Sequence, residues 1–315
     1  MFTRRAFLFT TAATAARGDM KLTARERVDR ALQGQDVDRV PFTYWYHFGL
    51  EKEPPARFAQ ATLDFHKRLR TDLVKVMSDF PYPSDASVVH ENPFPAQIRA
   101  LAMIREGLGG EAHFVETIFN PWNVAEKLTS KDEVQRLRRD EPQKLTGMLE
   151  RIGRSEANHA RRAVRTGASG VFLAIANAQH GILTPEEYRK FSEPFDRMVL
   201  DAVSSAPLNI LHLHGDKVYL HAFTSRHWPV AAINYSIHGT GVSIADFRTR
   251  FDRVIMAGLD EVNFRKLTRG DLLKQTKAAR EAAGKRFILA PGCSVPNDTT
   301  DEELLRLNRA LGVRN

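Results

Sequence analysis

Eight short β-rich apolar runs, separated by amphipathic stretches, constrain this chain more than any other feature. They are Val40–His47, Leu73–Asp79, Phe114–Phe119, Gly170–Ala176, Asn209–His214, Ala231–Ile237, Arg253–Leu259 and Arg286–Ala290. Strands separated by helical patterns pair in parallel through crossover helices, so the expected class is α/β. Helix starts fall between the runs. Thr23, with Glu26 three residues on, fits a capping box. Thr184-Pro185-Glu186-Glu187 supplies a cap, a proline at the first helical position and acids in the first turn. Thr300-Asp301-Glu302-Glu303 repeats the cap and the acids without the proline. No glycine-rich phosphate loop follows the first run, which argues against a doubly wound open sheet. The expected architecture is one (β/α)8 TIM-like barrel over residues 20–315.

Bulk properties exclude more than they assign. A chain of 315 residues buries a core without covalent help, and its single cysteine, Cys293, can form no intramolecular disulfide. The net charge of +8 raises three options: an anionic substrate, a membrane surface or nucleic acid. The basic residues are scattered, however, in runs such as residues 135–139 and 161–165 that read as solvated helix faces. No zinc-knuckle spacing or aromatic–basic interleaving points to nucleic acid. The expected ligand is a small-molecule substrate.

Residues 1–19 read as a targeting segment. Arg4-Arg5, a short apolar stretch and small residues at Ala13-Thr14-Ala15 fit a twin-arginine signal, with Phe9 where a polar or basic residue is common. The apolar stretch is too short to anchor in a bilayer. Export to the periplasm without stable membrane insertion is expected, and a cytoplasmic protein beginning at Met20 is the alternative.

Chemistry on such a barrel collects where strands end and loops begin. Those ends carry Tyr46, His47, Asp79, Asn120 and Asn177 in the first half, then His212, His214, Tyr235, His238, Asp260 and Cys293. The sharpest feature is Leu211-His212-Leu213-His214. Side chains two apart on a strand share a face, so the imidazoles can converge while the leucines pack away. Mostly unprotonated imidazoles suit a metal. Cys293 follows the last run in Pro291-Gly292-Cys293, a turn that can present the thiol to the barrel mouth. Two His and one Cys leave zinc an open fourth position, the pattern of a catalytic site. The competing reading is a hydrogen-bonded histidine pair with no metal. If zinc fits, the three donors should lie within about 4 Å of one another, near twice a ligand bond length. His66, His159 and His221 fall in helical or linker contexts and read as surface or cap residues.

Several segments together resemble the uroporphyrinogen decarboxylase superfamily, which includes corrinoid- and zinc-dependent methyltransferases. They are residues 24–41 with Gly34 and Asp38-Arg39-Val40-Pro41, Ser78-Asp79, Asn120-Pro121-Trp122, Gly258-Leu259-Asp260 and residues 291–298. The resemblance runs from about Leu22 to Leu311 and implies a distorted (β/α)8 barrel. The decarboxylase branch holds substrate carboxylates with an Arg-Gln-Ala-Gly-Arg segment. Tyr46-His47-Phe48-Gly49-Leu50 stands there instead, with both arginines gone. Asp79 matches the aspartate that meets the pyrrole nitrogens. That branch's tyrosine falls near Lys127, and its late histidine falls at Cys293. The methyltransferase branch binds zinc through a His-x-Cys and a late Gly-Cys. These become His212, His214 (where the family has Cys) and Cys293. Replacing a thiolate by imidazole leaves the metal more Lewis acidic.

The resemblance thus implies a zinc-dependent methyltransferase-like enzyme with a corrinoid protein as partner, passing a methyl group between the corrinoid and a thiol or hydroxyl acceptor. Asp79 and His238 are the catalytic candidates that orient substrate at the mouth. Tyr46, His47, Asn177, Tyr235 and Asp260 are the substrate-binding candidates. The alternatives are a metal-free decarboxylase acting on a tetrapyrrole or smaller acid, and a non-catalytic barrel that binds a tetrapyrrole or corrinoid.

Overall fold

The structure is a computed structural model and describes residues 21–313. The targeting segment expected at residues 1–19 lies outside the described residues. Among those described, no helix is long and apolar enough to cross a membrane.

Seven strands form one parallel sheet in sequence order: β1 (Leu73–Val76), β2 (His113–Phe119), β3 (Val171–Ile175), β4 (Ile210–Leu213), β5 (Ala232–Tyr235), β6 (Val254–Leu259) and β7 (Phe287–Pro291). Helices α1 (Ala24–Gln33) and α2 (Pro55–Leu69) precede β1, and α3 (Pro95–Leu108) leads into β2. Between β2 and β3 lie α4 (Pro121–Leu128), α5 (Lys131–Asp140) and the long α6 (Pro142–Thr166). Next come α7 (Pro185–Phe191) and α8 (Glu193–Asp201) before β4, then α9 (Ile237–Thr240) and α10 (Ile244–Arg248) before β6. The last pair is α11 (Arg269–Ala283) and α12 (Asp301–Ala310). Thr23 forms the expected box, and Thr184 and Thr300, expected as caps, form one too, each accepting from the third helical amide while a glutamate reaches back.

The first of the eight expected strands is not one. Val40–His47 contributes a single parallel bridge, Phe42 to Leu289. Pro41 has no N–H to give a ladder, and the Phe42 amide donates to the Asp72 carboxylate (3.0 Å) instead of to a strand. The segment nevertheless touches both edges of the curled sheet. Thr43 N donates to Leu289 O (3.0 Å) and Leu289 N to Pro41 O (2.9 Å) on the β7 side, and Asp72 N donates to Phe42 O (2.9 Å) on the β1 side. The architecture is therefore a seven-stranded, TIM-like curled sheet whose two edges meet across an irregular segment.

Register separates the two faces. Ala174 pairs His212, His212 pairs Asn234, Asn234 pairs Met256 and Met256 pairs Ile288, so these side chains share one face. The opposite face carries Leu211, Leu213, Ile233, Tyr235, Ile255 and Ala257 into the layer beneath the helices. The first face lines the lumen.

At the amino ends of the strands a buried ion network ties α1 to the sheet. Arg27 Nε donates to Asp38 Oδ1 (2.7 Å), its Nη1 meets Asp72, and Arg39 Nη2 donates to the same Asp72 carboxylate (2.9 Å). Asp72 also accepts the Phe42 amide, so each of its oxygens is partnered.

Candidate metal centre

His212 lies on β4 and His214 is the first residue past its end, with Leu213 between them facing the helices. The loop after β7 reaches the same rim because Gly292 passes the corner of β5 closely. A Cβ there would lie 2.3 Å from Ser236 Cα, so no other residue fits without moving backbone. The Gly292 amide donates to Glu261 Oε2 (3.0 Å), which fixes the turn. Two further bonds stitch the loop to the irregular first segment. Val295 N donates to Trp45 O (2.9 Å) and His47 N to Asn297 Oδ1 (3.1 Å).

The donor atoms of His212, His214 and Cys293 lie within 4.8 Å of one another, a wider bound than the 4 Å expected. His214 Nδ1 is already 3.3 Å from Cys293 Sγ, close to the separation of two ligands around a tetrahedral zinc at about 2.0–2.3 Å bond lengths. His212 is aimed by Asn234. The Asn234 amide nitrogen donates to Met256 O (2.9 Å) and Pro291 O (2.9 Å), so its oxygen faces His212 Nδ1 at 2.6 Å. An oxygen there accepts, so Nδ1 carries the proton and Nε2 keeps its lone pair for a ligand. Burial works against the Cys293 thiolate, but both imidazoles outweigh it and bring the thiol down to about 4. The contact with Cys293 in turn raises His214, against the effect of burial. A thiolate and an imidazole lone pair pointing into one space fit a zinc ion.

The other expected residues divide. His47 Nδ1 meets Asp79 Oδ1 at 2.7 Å, and His238 Nε2 lies 3.4 Å from Asp260 Oδ2, with His47 half-buried and His238 exposed. Asp79 Oδ2 is buried and has no hydrogen-bond partner among the described residues. Asp260 is largely engaged locally. Burial raises its carboxyl, but the Asn263 amides hold it below the usual range.

Three substrate-binding expectations are corrected. Tyr235 faces the helices and packs on Phe247, because its neighbour Asn234 faces the lumen. Tyr46 packs edge-on against Phe65 of α2 (5.2 Å between ring centroids), while Trp45 is the residue beside His212 (6.5 Å). Asn177 is buried in a closed network, accepting from Asn120 (2.8 Å) and donating to Ser192 (2.9 Å). His159, expected at the surface, is fully buried between Glu116 and Phe94. The sequence reading missed Asn234, Trp45 and Phe172, whose ring stacks on His212 at 5.1 Å.

Comparison with known proteins places this geometry. No curated protein matches the chain. Among solved structures, a methyltransferase from Methanosarcina mazei superposes with a TM-score of 0.73 at 19% identity, over 93% of this chain and 99% of that one. A B12-independent methionine synthase from Shewanella sp. W3-18-1 gives 0.59 at 8% identity, covering 87% and 92%. A putative vitamin-B12-independent methionine synthase from Listeria monocytogenes gives 0.52 at 12% identity, covering 88% and 95%. At these identities the likeness is one of fold. The sequence model for uroporphyrinogen decarboxylase (URO-D) matches residues 84–311, more than two thirds of the length, and the chain belongs to that family.

Proposed function

We propose that the protein is a zinc-dependent methyltransferase that moves a methyl group from a methylated corrinoid, carried on a partner protein, to a thiol or hydroxyl of a small molecule. The observation that carries this reading is the Asn234 amide, whose two carbonyl partners leave its oxygen for His212 Nδ1 and so turn Nε2 toward the Cys293 thiolate. His212, His214 and Cys293 would hold the metal. Zinc supplies Lewis acidity that favours loss of the acceptor's proton. Asp79, steered by His47, and His238, beside Asp260, would orient the acceptor at the mouth.

Elemental analysis of protein purified without added metal tests the site. About one zinc per chain is expected, and Cys293→Ala should remove it together with thiol methylation from methylcobalamin. Full activity in metal-free protein would overturn the reading. Uroporphyrinogen itself should be turned over negligibly. The residues at 46–50 supply no guanidinium, and two lost charge-assisted contacts cost roughly 3–6 kcal/mol. Robust coproporphyrinogen formation would restore a decarboxylase role. We also propose export through the Arg4-Arg5 leader with cleavage near Ala15 or Ala16. Replacing both arginines by lysine should trap the protein inside the cell, and an unchanged distribution would end that idea.

A further inference from the structure

The structure treats the two basic runs of the sequence differently. In residues 135–139, Arg136 pairs with Glu133 and Glu141 (2.8 Å each), and Arg138 pairs with Glu187. In residues 161–165 no arginine has a carboxylate partner among the described residues. Arg161 Nη2 donates to Asn158 Oδ1 (2.7 Å) and Arg162 Nε to Glu91 O (2.7 Å), so most of each guanidinium fork is unused. Of the five arginines on α6, Arg154 alone has an ion pair, with Glu150 (2.6 Å). Residues 151, 154, 158, 161, 162 and 165 fall within one side of the helix, a ridge about 21 Å long at 1.5 Å per residue. Arg154, Arg161 and Arg165 on it are exposed.

A second feature lies against that ridge. Arg151 Nε donates to Ala86 O (3.0 Å) and Asn158 Nδ2 to His90 O (3.0 Å), so with the Arg162 bond residues 86–91 are tied lengthwise along α6. Between the ties stand Val88 and Val89, 46% and 39% exposed, two of the five large apolar side chains left exposed among the described residues. Opposing charge is sparse. Glu150 is taken by Arg154 and Asp85 by the Ser87 amide (2.8 Å), which leaves Glu91. An apolar tip bordered by unpaired cations marks an interaction surface.

We infer that this face docks on an anionic phospholipid surface, with the guanidinium groups of α6 on the phosphates and the two valines at the acyl boundary. Aliphatic tips gain from hydrocarbon and nothing from a bare phosphate backbone. No aromatic side chain is among the exposed apolar ones of the described residues, whereas single-stranded nucleic acid is held by stacking on such rings. A few arginines and two valines give reversible, peripheral attachment. The inference uses neither the metal nor the corrinoid.

The test is co-sedimentation of the full chain with vesicles of phosphatidylcholine alone and of phosphatidylcholine mixed with phosphatidylglycerol. Wild type should bind the mixed vesicles and leave the neutral ones, and its binding should fall as salt nears about 1 M, where screening acts within about 3 Å. Arg161→Gln together with Arg165→Gln should weaken binding roughly thirtyfold, about fivefold for each charge. Val88→Ser together with Val89→Ser should weaken it about tenfold, yet leave elution from heparin, a polyanion with no acyl phase, unchanged. Every variant carries the same residues 1–20, so any contribution from the leader cancels, and an unchanged unfolding midpoint shows that each is folded. Equal binding to both kinds of vesicle, or undiminished binding by the arginine pair, overturns the proposal. A valine pair that binds mixed vesicles as wild type does overturns lipid as the occupant and points to a soluble polyanion such as nucleic acid.

Discussion

Both ends of the sheet carry charged and polar groups but treat them differently. At the amino end, Asp72 faces Arg27, Arg39 and the Phe42 amide, and both of its oxygens are engaged. At the carboxyl end, Cys293 is held against His214 and His212, and Asp79 keeps one oxygen without a partner among the described residues. Buried polar groups that satisfy one another stabilise a fold, whereas groups fixed in place with capacity left over await a ligand. The barrel rule that chemistry lives at the carboxyl end thus has a local physical counterpart in which atoms are partnered.

This contrast can be broken by substitution. The largest effect is expected at the closed end. Asp72→Ala leaves Arg39 without its carboxylate and Arg27 with Asp38 alone, and should cost about 3–5 kcal/mol in urea unfolding, with zinc content of the folded fraction unchanged. Loss of zinc without loss of stability would invert the assignment of the two ends. Next, Cys293→Ala should lower zinc affinity by roughly two to three powers of ten. That takes one ligand as about a quarter of the ~10–16 kcal/mol typical of a four-ligand site. The unfolding midpoint of the metal-free protein should barely move. Asn234→Leu tests both properties at once. It should weaken zinc by about 10–100-fold and also destabilise the fold by about 1–3 kcal/mol, since the Met256 and Pro291 carbonyls lose their donor.

The smallest effect is a matter of pH. With its thiol near 4, Cys293 is a thiolate throughout the mildly acidic range, and becomes a neutral thiol only as pH falls through that value. Iodoacetamide labelling of metal-free protein should therefore stay nearly level from neutral pH down to about 5 and drop below it. A steady tenfold fall per unit below neutrality would mark an ordinary thiol and leave the rim without its charge.

How much of this was legible beforehand differs by element. Seven strands were readable because each is a short apolar run set between amphipathic stretches. Val40–His47 was misread because apolar composition cannot reveal that Pro41 lacks a donor where the ladder needs one and that Asp72 takes the next amide. His212, His214 and Cys293 were found from strand periodicity, a glycine turn and the family resemblance. Tyr235 was misassigned although the same periodicity applies to it. Ile233 and Tyr235 are the bulky pair and face the helices, which leaves Asn234 for the lumen. Tyr46 and Trp45 could not be told apart by that logic, because an irregular segment has no fixed parity. Asn177 and His159 were invisible for another reason. Their partners, Asn120 and Ser192 for one and Glu116 for the other, come from sequence-distant elements.

The join between β7 and β1 has a consequence for motion. Residues 41–45 are held to β7 by two amide bonds, and much of their grip on the β1 side comes through the Asp72 and Thr43 side chains rather than a ladder. A stave with so few rungs is where such a sheet breathes first. Trp45 sits at the top of that stave, and its carbonyl holds the Val295 amide two residues beyond Cys293. One local opening would therefore draw back a wall of the lumen and slacken the thiolate's loop together, while His212 on β4 and His214 just past its end stay in register. Amide exchange at Phe42 and Thr43 would report the rate at which the lumen admits its contents.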